Sequence, residues 1–198
     1  IISILDMSGS MQSLTQDTIG GFNGYLDQLH SNNQQGFLTL IVFNTNYNIV
    51  WHRKPIEDCK HIDTSIYSPL GGTALLDALG TAIQVTTSWF MQQQSKPNVS
   101  FFVCTDGEEN SSREFSSEQV SKLVKDAQEE YKWQFLFAGA NIDAFAAGRK
   151  LGFTDKNIAK IDNDGLGQKS FYKAVYNRQM GGESLQDEYE KAKDKSEL

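Results

Sequence analysis

The feature that most constrains the fold is a short apolar run at residues 1–5, which stops at Asp6. Runs of this kind, rich in β-branched residues, are typical of strands buried on both faces of a parallel sheet. Two hydroxyl residues, Ser8 and Ser10, follow at alternate positions, and a helical pattern comes after them. The chain is therefore predicted to open with a buried strand, a polar loop and a helix.

Strand patterns and helical patterns alternate along the rest of the chain. Apolar strands are predicted at residues 37–43, 99–104 and 133–138, and amphipathic helices at 14–30 and 74–93. Such alternation predicts an α/β fold of the Rossmann-like, doubly wound kind, with a mostly parallel central sheet and helices on both faces.

One strand pattern departs from this alternation. Residues 44–46 read as a tight turn, and residues 47–52 as a strand pairing with 37–43. A turn this short joins antiparallel strands, so one antiparallel edge strand is expected. Residues 55–68 carry no clear pattern and are expected to form a surface connection.

The length and composition suit one domain with its own core. We assign residues 1–180 to that domain and residues 181–198 to a charged C-terminal helical extension or tail. No apolar stretch approaches the roughly 20 residues that span a membrane. The net charge of −7 argues against nucleic acid, whose phosphates need a basic surface, and gives no reason to expect binding to a membrane.

The two cysteines bear on the cellular compartment. Cys59 and Cys104 are expected to be reduced thiols, which favours a cytoplasmic protein, and a disulfide between them is the alternative. The chain begins inside a strand without Met, so removal of an upstream segment is expected.

The loop after the first strand has two interpretations. The oxygen atoms of Asp6, Ser8 and Ser10 can converge on one point, and hard oxygen ligands suit Mg²⁺, Mn²⁺ or Ca²⁺ rather than zinc or copper. The alternative is that these residues only cap the following helix, as Ser and Asp often do. This loop alone leaves both interpretations open.

Two later segments favour the metal interpretation. Thr73 opens a helical pattern directly after Gly71 and Gly72, which let the backbone approach an ion closely. Asp106 directly follows an apolar strand, as Asp6 does. In proteins with a parallel sheet, ligands bind beyond the carboxyl ends of the strands. The segments that contain Asp6, Thr73 and Asp106 are expected to meet there.

In this order the motifs resemble a von Willebrand factor type A domain with a complete metal-ion-dependent adhesion site. The resemblance spans residues 1 to about 171 and looks closest to stand-alone bacterial and phage members. It implies a metal site made of five residues: Asp6, Ser8, Ser10, Thr73 and Asp106. The two serines would bind the cation directly, and the threonine directly or through water. The two aspartates would hold coordinating waters, or one of them would bind the cation directly.

The resemblance also implies the cofactor and the partner. The expected cation is Mg²⁺, with Mn²⁺ or Ca²⁺ as alternatives, and the expected partner is a protein that presents an Asp or Glu carboxylate. The function is then a metal-dependent protein-binding module and not an enzyme. The alternatives are a metal-assisted enzyme with phosphoryl or hydrolytic chemistry, and a domain whose cation is purely structural.

The motifs of common enzymes are missing from the sequence. It has no Gly-x-Ser-x-Gly nucleophile elbow and no Gly-Lys-Ser/Thr nucleotide loop. The three histidines, His30, His52 and His61, show no acid–base pairing.

Other polar residues lie beside the expected site in sequence. Glu108 and Glu109 are interpreted as a solvated loop, with tuning of cation or partner choice as the alternative. Asn141 and Asp143 follow another strand and are candidates for the same edge of the sheet.

Overall fold

A computed structural model describes residues 1–140 and 142–195 of the chain. Within these residues the strands are β1 (Ile2–Asp6), β2 (Phe37–Phe43), β3 (Tyr47–Pro55), β4 (Ser100–Thr105), β5 (Gln134–Gly139) and β6 (Ile158–Lys160). They form one sheet in the order β3-β2-β1-β4-β5-β6. Every neighbouring pair is parallel except β2 and β3. The predicted mostly parallel sheet with one antiparallel edge strand is confirmed.

The described helices cover both faces of this sheet. They are α1 (Thr15–Ser31), α2 (Leu75–Gln92), α3 (Ser117–Glu130), α4 (Ala144–Lys150), α5 (Gly165–Gln179) and α6 (Leu185–Asp194). Side chains of α1, α5 and α6 share one hydrophobic core, and side chains of α2, α3 and α4 share the other. The predicted doubly wound architecture is confirmed.

The position of a strand in the sheet explains its sequence. All residues of β1 are buried because this strand lies between β2 and β4 and is covered by helices on both faces. The edge strand β3 has mixed burial and a more polar sequence. Continuous apolar runs therefore mark the central strands, as expected for a sheet covered on both sides.

Residues 55–68 form a connection whose polar residues are mostly exposed, as expected, but four of its side chains are packed in the core. Ile56, Cys59, Ile62 and Tyr67 are buried and belong to the core beneath α1. These buried side chains were not predicted, because the apolar residues of this segment are spaced irregularly and a packed loop has no period to detect.

The C-terminal part of the described chain packs against the domain. Helix α6 contacts α5 and β6, and its Leu185 and Tyr189 are buried. The last three residues of the predicted extension, 196–198, lie outside the described residues. The boundary at residue 180 stays a prediction.

The two cysteines are buried free thiols in this structure. Among the described residues, no helix combines the length and the apolar character needed to cross a bilayer.

Candidate metal centre

Three loops meet at the carboxyl end of the sheet. We name them loop 1 (residues 6–11), loop 2 (residues 70–74) and loop 3 (residues 105–116). Loops 1 and 3 lie side by side because β1 and β4 are parallel neighbours. Loop 2 is joined to loop 1 by a hydrogen bond from Gly9 N to Gly71 O, at 2.9 Å, and to loop 3 by one from Asn110 N to Thr73 O, at 3.0 Å. The sheet topology thus brings together segments that are far apart in sequence.

Polar side chains of loops 1 and 3 form a continuous chain of hydrogen bonds. Ser10 Oγ donates to Asp106 Oδ1 at 2.6 Å, and Ser8 Oγ lies 3.0 Å from Ser10 Oγ. Because the single hydroxyl proton of Ser10 goes to Asp106, the proton between the serines belongs to Ser8. Ser8 N in turn donates to Asp6 Oδ1 at 2.7 Å. Four of the five predicted residues are therefore linked.

Thr73, the fifth predicted residue, faces the same space. A methyl group added to Gly107 would lie 3.4 Å from Thr73 Oγ1 and 3.5 Å from Ser10 Oγ. The glycine therefore leaves open a small space between hydroxyls of loops 1 and 2. Thr73 is held there because its backbone N donates to Asn110 Oδ1 of loop 3 at 2.9 Å.

The oxygen atoms of this set suit a hard divalent cation. Adjacent ligands of an octahedral Mg²⁺ ion lie about 3.0 Å apart, given Mg–O distances of about 2.1 Å. The separation of 3.0 Å between the Ser8 and Ser10 hydroxyls matches that spacing. Within the described chain there is no cluster of three or more His, Cys, Asp or Glu residues arranged to hold a metal. The set instead combines two carboxylates with three hydroxyls, which is a donor set for Mg²⁺ or Mn²⁺.

The helix-capping interpretation of loop 1 does not hold. Ser8 precedes a 3₁₀ helix at Gly9–Leu14, but its side chain makes no capping hydrogen bond. Its hydroxyl contacts Ser10 instead. The side chains of loop 1 are therefore directed at one another and at loop 3.

Both carboxylates of the site are buried, with 1% of the surface of Asp6 and 5% of that of Asp106 exposed. Asp6 is the more deeply buried of the two. Burial raises its pKa, hydrogen bonds from Thr105 and Ser8 lower it, and the nearby charge of Asp106 raises it further. The net direction is upward, so the anion is disfavoured at this position. A bound cation would reverse that preference by compensating both carboxylates.

Two contacts of Asp6 were missed from the sequence. Thr105 Oγ1 donates to Asp6 Oδ2 at 2.5 Å, and Tyr67 OH donates to the backbone oxygen of Asp6, also at 2.5 Å. Thr105 could have been found because it occupies the last position of β4, beside Asp106. Tyr67 gives no sequence signal, because it lies in a packed loop without periodicity.

Two further carboxylates hold loop 3 in place. Glu109 accepts hydrogen bonds from the backbone N atoms of Ser111 and Ser112 in its own loop and of Leu76 in α2, at 2.7–2.9 Å. The interpretation of Glu109 as a solvated side chain was therefore wrong. Its neighbour Glu108 is exposed, as expected.

Asp77, on the first turn of α2, anchors the far end of loop 3. Its carboxylate accepts from the backbone N atoms of Arg113, Glu114 and Phe115 at 2.8, 2.9 and 3.0 Å. Three backbone donors of an irregular segment are satisfied by one buried side chain. The role of Asp77 was not predicted, because an acidic residue near a helix start is common in any protein. That of Glu109 was not predicted, because its partners depend on how loop 3 folds.

Asp143, another candidate, does not join the site. Asp143 is exposed and caps α4, accepting from Ala146 N at 3.0 Å, whereas Asn141 lies outside the described residues. His61 does have an acidic partner, contrary to expectation, because it lies 2.8 Å from Asp27. Both side chains of that pair are more than half exposed, which makes it a weak surface contact.

Comparison with solved structures identifies the fold. A von Willebrand factor type A protein from Catenulispora acidiphila superposes with a TM-score of 0.58 at 14% identity, over 93% of this chain and 42% of that one. Proximal thread matrix protein 1 from the mussel byssus, solved with a zinc-occupied MIDAS motif, gives a TM-score of 0.63 at 13% identity, over 90% and 44%. This chain therefore spans less than half the length of either protein.

In a third solved structure, a larger share of the protein's length is matched by this chain. The manganese-loaded TRAP protein of Plasmodium vivax gives a TM-score of 0.60 at 18% identity, over 81% of this chain and 67% of that one. The sequence matches no protein-family model and no curated protein. At these identities the likeness concerns the fold. The chain has the fold of the von Willebrand factor type A domains.

Proposed function

We propose that this protein is an interaction module that binds an acidic group of a protein partner through a divalent cation. The observation that carries the proposal is the chain of hydrogen bonds from Ser8 Oγ through Ser10 Oγ to Asp106 Oδ1. It connects loop 1 to loop 3. The residues proposed to hold the cation are Asp6, Ser8, Ser10, Thr73 and Asp106.

The donor set explains how an acidic protein could bind an acidic partner. A bound Mg²⁺ or Mn²⁺ ion would supply a local positive charge able to accept a carboxylate oxygen. The three hydroxyls are neutral, and Asp6 is buried beneath the loops, so it is shielded from a partner. Mg²⁺ is our first choice; the zinc and manganese bound by two proteins of the same fold make these ions worth testing.

The surroundings of the site favour a protein over a small substrate. Leu70 of loop 2 is 73% exposed and is tied to loop 1 by a hydrogen bond from its backbone N to Met7 O, at 3.0 Å. An exposed leucine beside a candidate cation offers an apolar contact to a residue next to the partner's carboxylate. We therefore propose a partner segment with an acidic residue and an apolar neighbour.

The proposal is tested with an immobilised library of short acidic peptides. We expect binding in Mg²⁺ or Mn²⁺, loss of binding in EDTA, and no binding to matched peptides that carry Asn for Asp and Gln for Glu. Asp106→Ala should abolish the binding, and Glu108→Ala is the matched control because this neighbouring carboxylate is exposed.

Two outcomes would contradict the proposal. A cation that raises the melting temperature without any peptide depending on it would make the cation structural. Unchanged cation affinity in Asp106→Ala would show that the proposed residues do not form the cation site. Hydrolysis of a phosphate ester by the cation-loaded protein, lost in Asp106→Ala, would favour the metal-assisted enzyme.

A further inference from the structure

A second candidate site lies at the opposite end of the sheet from the three loops. A groove of about 630 Å³ is bordered by the first residues of β1, β2, β4 and β5, by the edge strand β3 and by α2. We name it the amino-end groove. Its volume falls in the range of small-molecule sites in proteins, about 300–1,000 Å³.

The walls of the amino-end groove combine polar and apolar side chains, and several of the apolar ones are exposed. Phe37, Val85 and Met180 line it with 51%, 38% and 49% of their surfaces exposed. Trp89 of α2 and Ile49 of β3 face the same space. Large apolar side chains gathered at one concave surface indicate a place for an apolar ligand.

The charged side chains of the groove all have one sign. Arg53 and Lys132 line it, whereas none of the described lining residues is Asp or Glu. This imbalance runs against the chain as a whole, which carries a net charge of −7. A ligand that complements the groove is therefore anionic as well as apolar.

Arg53 is the cation best placed to bind such a ligand. Its guanidinium lies over the ring of Trp89, 5.2 Å from the centroid, and the side chain is half-buried. This contact with the ring uses none of the guanidinium N–H groups as hydrogen-bond donors to a carboxylate, and the planar fork of an arginine suits a bidentate carboxylate. Within the part of the chain that the structure describes, no carboxylate forms an ion pair with it.

Another arginine shows what Arg53 lacks. Arg149 also lies over an aromatic ring, that of Phe145, at 5.7 Å. It donates in addition to both carboxylate oxygens of Asp155, at 2.7 and 2.8 Å. Arg53 has the ring but not the carboxylate, and the groove beside it is open.

The backbone of Arg53 supports the same interpretation. Its φ is +46°, a left-handed conformation that few non-glycine residues adopt, and its N donates to Thr39 Oγ1 at 3.0 Å. Such conformations cost free energy and concentrate at functional sites. The pairing of β3 with β2 is irregular between Leu38 and Leu40 of β2, opposite Arg53. Arg53 lies on the α2 side of the sheet, where its guanidinium contacts Trp89.

We infer that the amino-end groove binds an amphipathic carboxylate, with its apolar body against Trp89 and Phe37 and its carboxylate on Arg53. This site is separate from the candidate metal centre, and it does not depend on a cation. The probe is naphthoate, whose neutral counterpart, naphthylmethanol, has the same ring system without the charge.

The test follows the indole N–H signals of the three tryptophans by NMR during a naphthoate titration. We expect saturable shifts of Trp89, binding at least about tenfold weaker for naphthylmethanol, and no change when EDTA is added or Asp106 is replaced by Ala. Arg53→Asn should weaken naphthoate at least about tenfold, because asparagine tolerates the left-handed backbone but carries no charge.

Arg149→Asn is the matched control, since this arginine is also stacked but already paired, and it should leave naphthoate binding unchanged. Equal affinity for the acid and the alcohol, or unchanged binding in Arg53→Asn, would overturn the inference. Trp89 shifts that grow with protein concentration in the absence of naphthoate would also overturn it, because a second copy would then cover the groove.

Discussion

The two ends of the sheet are built on different physical principles. At the carboxyl end, backbone N–H groups, hydroxyls and carboxylates of three loops satisfy one another through short hydrogen bonds. At the amino end, the groove is lined by apolar side chains, neutral polar side chains and two cationic ones, and none of the described lining residues is a carboxylate. Polar groups thus fix the geometry of one end, whereas packing shapes the other.

The difference teaches where each kind of binding site can form. A hard cation needs oxygen atoms held at fixed separations, and only loops braced by hydrogen bonds provide them without regular secondary structure. An apolar ligand needs area and volume, which a sheet face bordered by a helix provides. The same fold therefore offers a rigid polar site at one end and an open apolar groove at the other.

The strongest way to break this comparison is Asp106→Ala. We expect the affinity for Mn²⁺, measured by calorimetry, to fall by more than about 100-fold, because the variant loses a carboxylate that spans loops 1 and 3. Ser10→Ala should lose less, about tenfold, since a water molecule can replace the hydroxyl. Cation affinity that survives in both variants would show that the oxygen atoms of this end bind no cation.

Asp77→Ala tests whether hydrogen bonds hold the carboxyl end together. We expect a loss of about 2–4 kcal/mol in the free energy of unfolding, because three backbone donors lose their acceptor. Urea denaturation measures the loss, and Glu114→Ala is the control because this residue of the same loop is exposed. A loss below about 0.5 kcal/mol would mean that water replaces the carboxylate at no cost.

The sequence predicted the centre of the sheet better than the supports of the site. Apolar runs ending at Asp6 and Asp106 predicted two buried strands and the position of both carboxylates, because the carboxyl ends of parallel strands meet at one edge. Spacing could not reveal that Tyr67 and Asp77 support those loops. Their roles depend on contacts between segments that are far apart in the sequence, and such contacts leave no periodic pattern of residues.

The amino-end groove was not predicted at all. Its walls include Phe37, Trp89 and Arg53. In the sequence the first two are ordinary members of a predicted strand and a predicted helix, and Arg53 follows the predicted edge strand directly. Their common orientation depends on the bulge in β3 and on how α2 crosses the sheet. A pattern of residue types reveals neither the bulge nor the path of the helix, so only the three-dimensional structure could show the groove.

Asp6→Asn sharpens the comparison by separating stability from cation binding. Burial raises the pKa of Asp6 above its ordinary value of 3.8, so its favourable contribution is present below pH 3.8 and is lost as the pH rises through the folded-state pKa. Without cation at neutral pH, the neutral amide should therefore stabilise the protein.

Thermal unfolding in EDTA measures that gain, and Asn can retain Ser8 and Thr105 as partners by accepting from one and donating to the other. The same variant should lose cation binding. A lower stability in EDTA would mean that the ionised carboxylate is the better hydrogen-bond partner for these two groups and that its burial costs less than they contribute.

The smallest effect is expected at the other end, where Arg53→Asn should change the free energy of unfolding by less than about 0.5 kcal/mol. Loss of the contact with Trp89 costs about 0.5–1 kcal/mol, and relief of the strained backbone offsets it, because asparagine adopts positive φ more readily. Urea denaturation of Arg53→Asn and Arg149→Asn side by side tests this balance. A loss above about 1 kcal/mol in Arg53→Asn would make the arginine a structural residue. The two ends of the sheet would then resemble each other, because charged side chains would stabilise both.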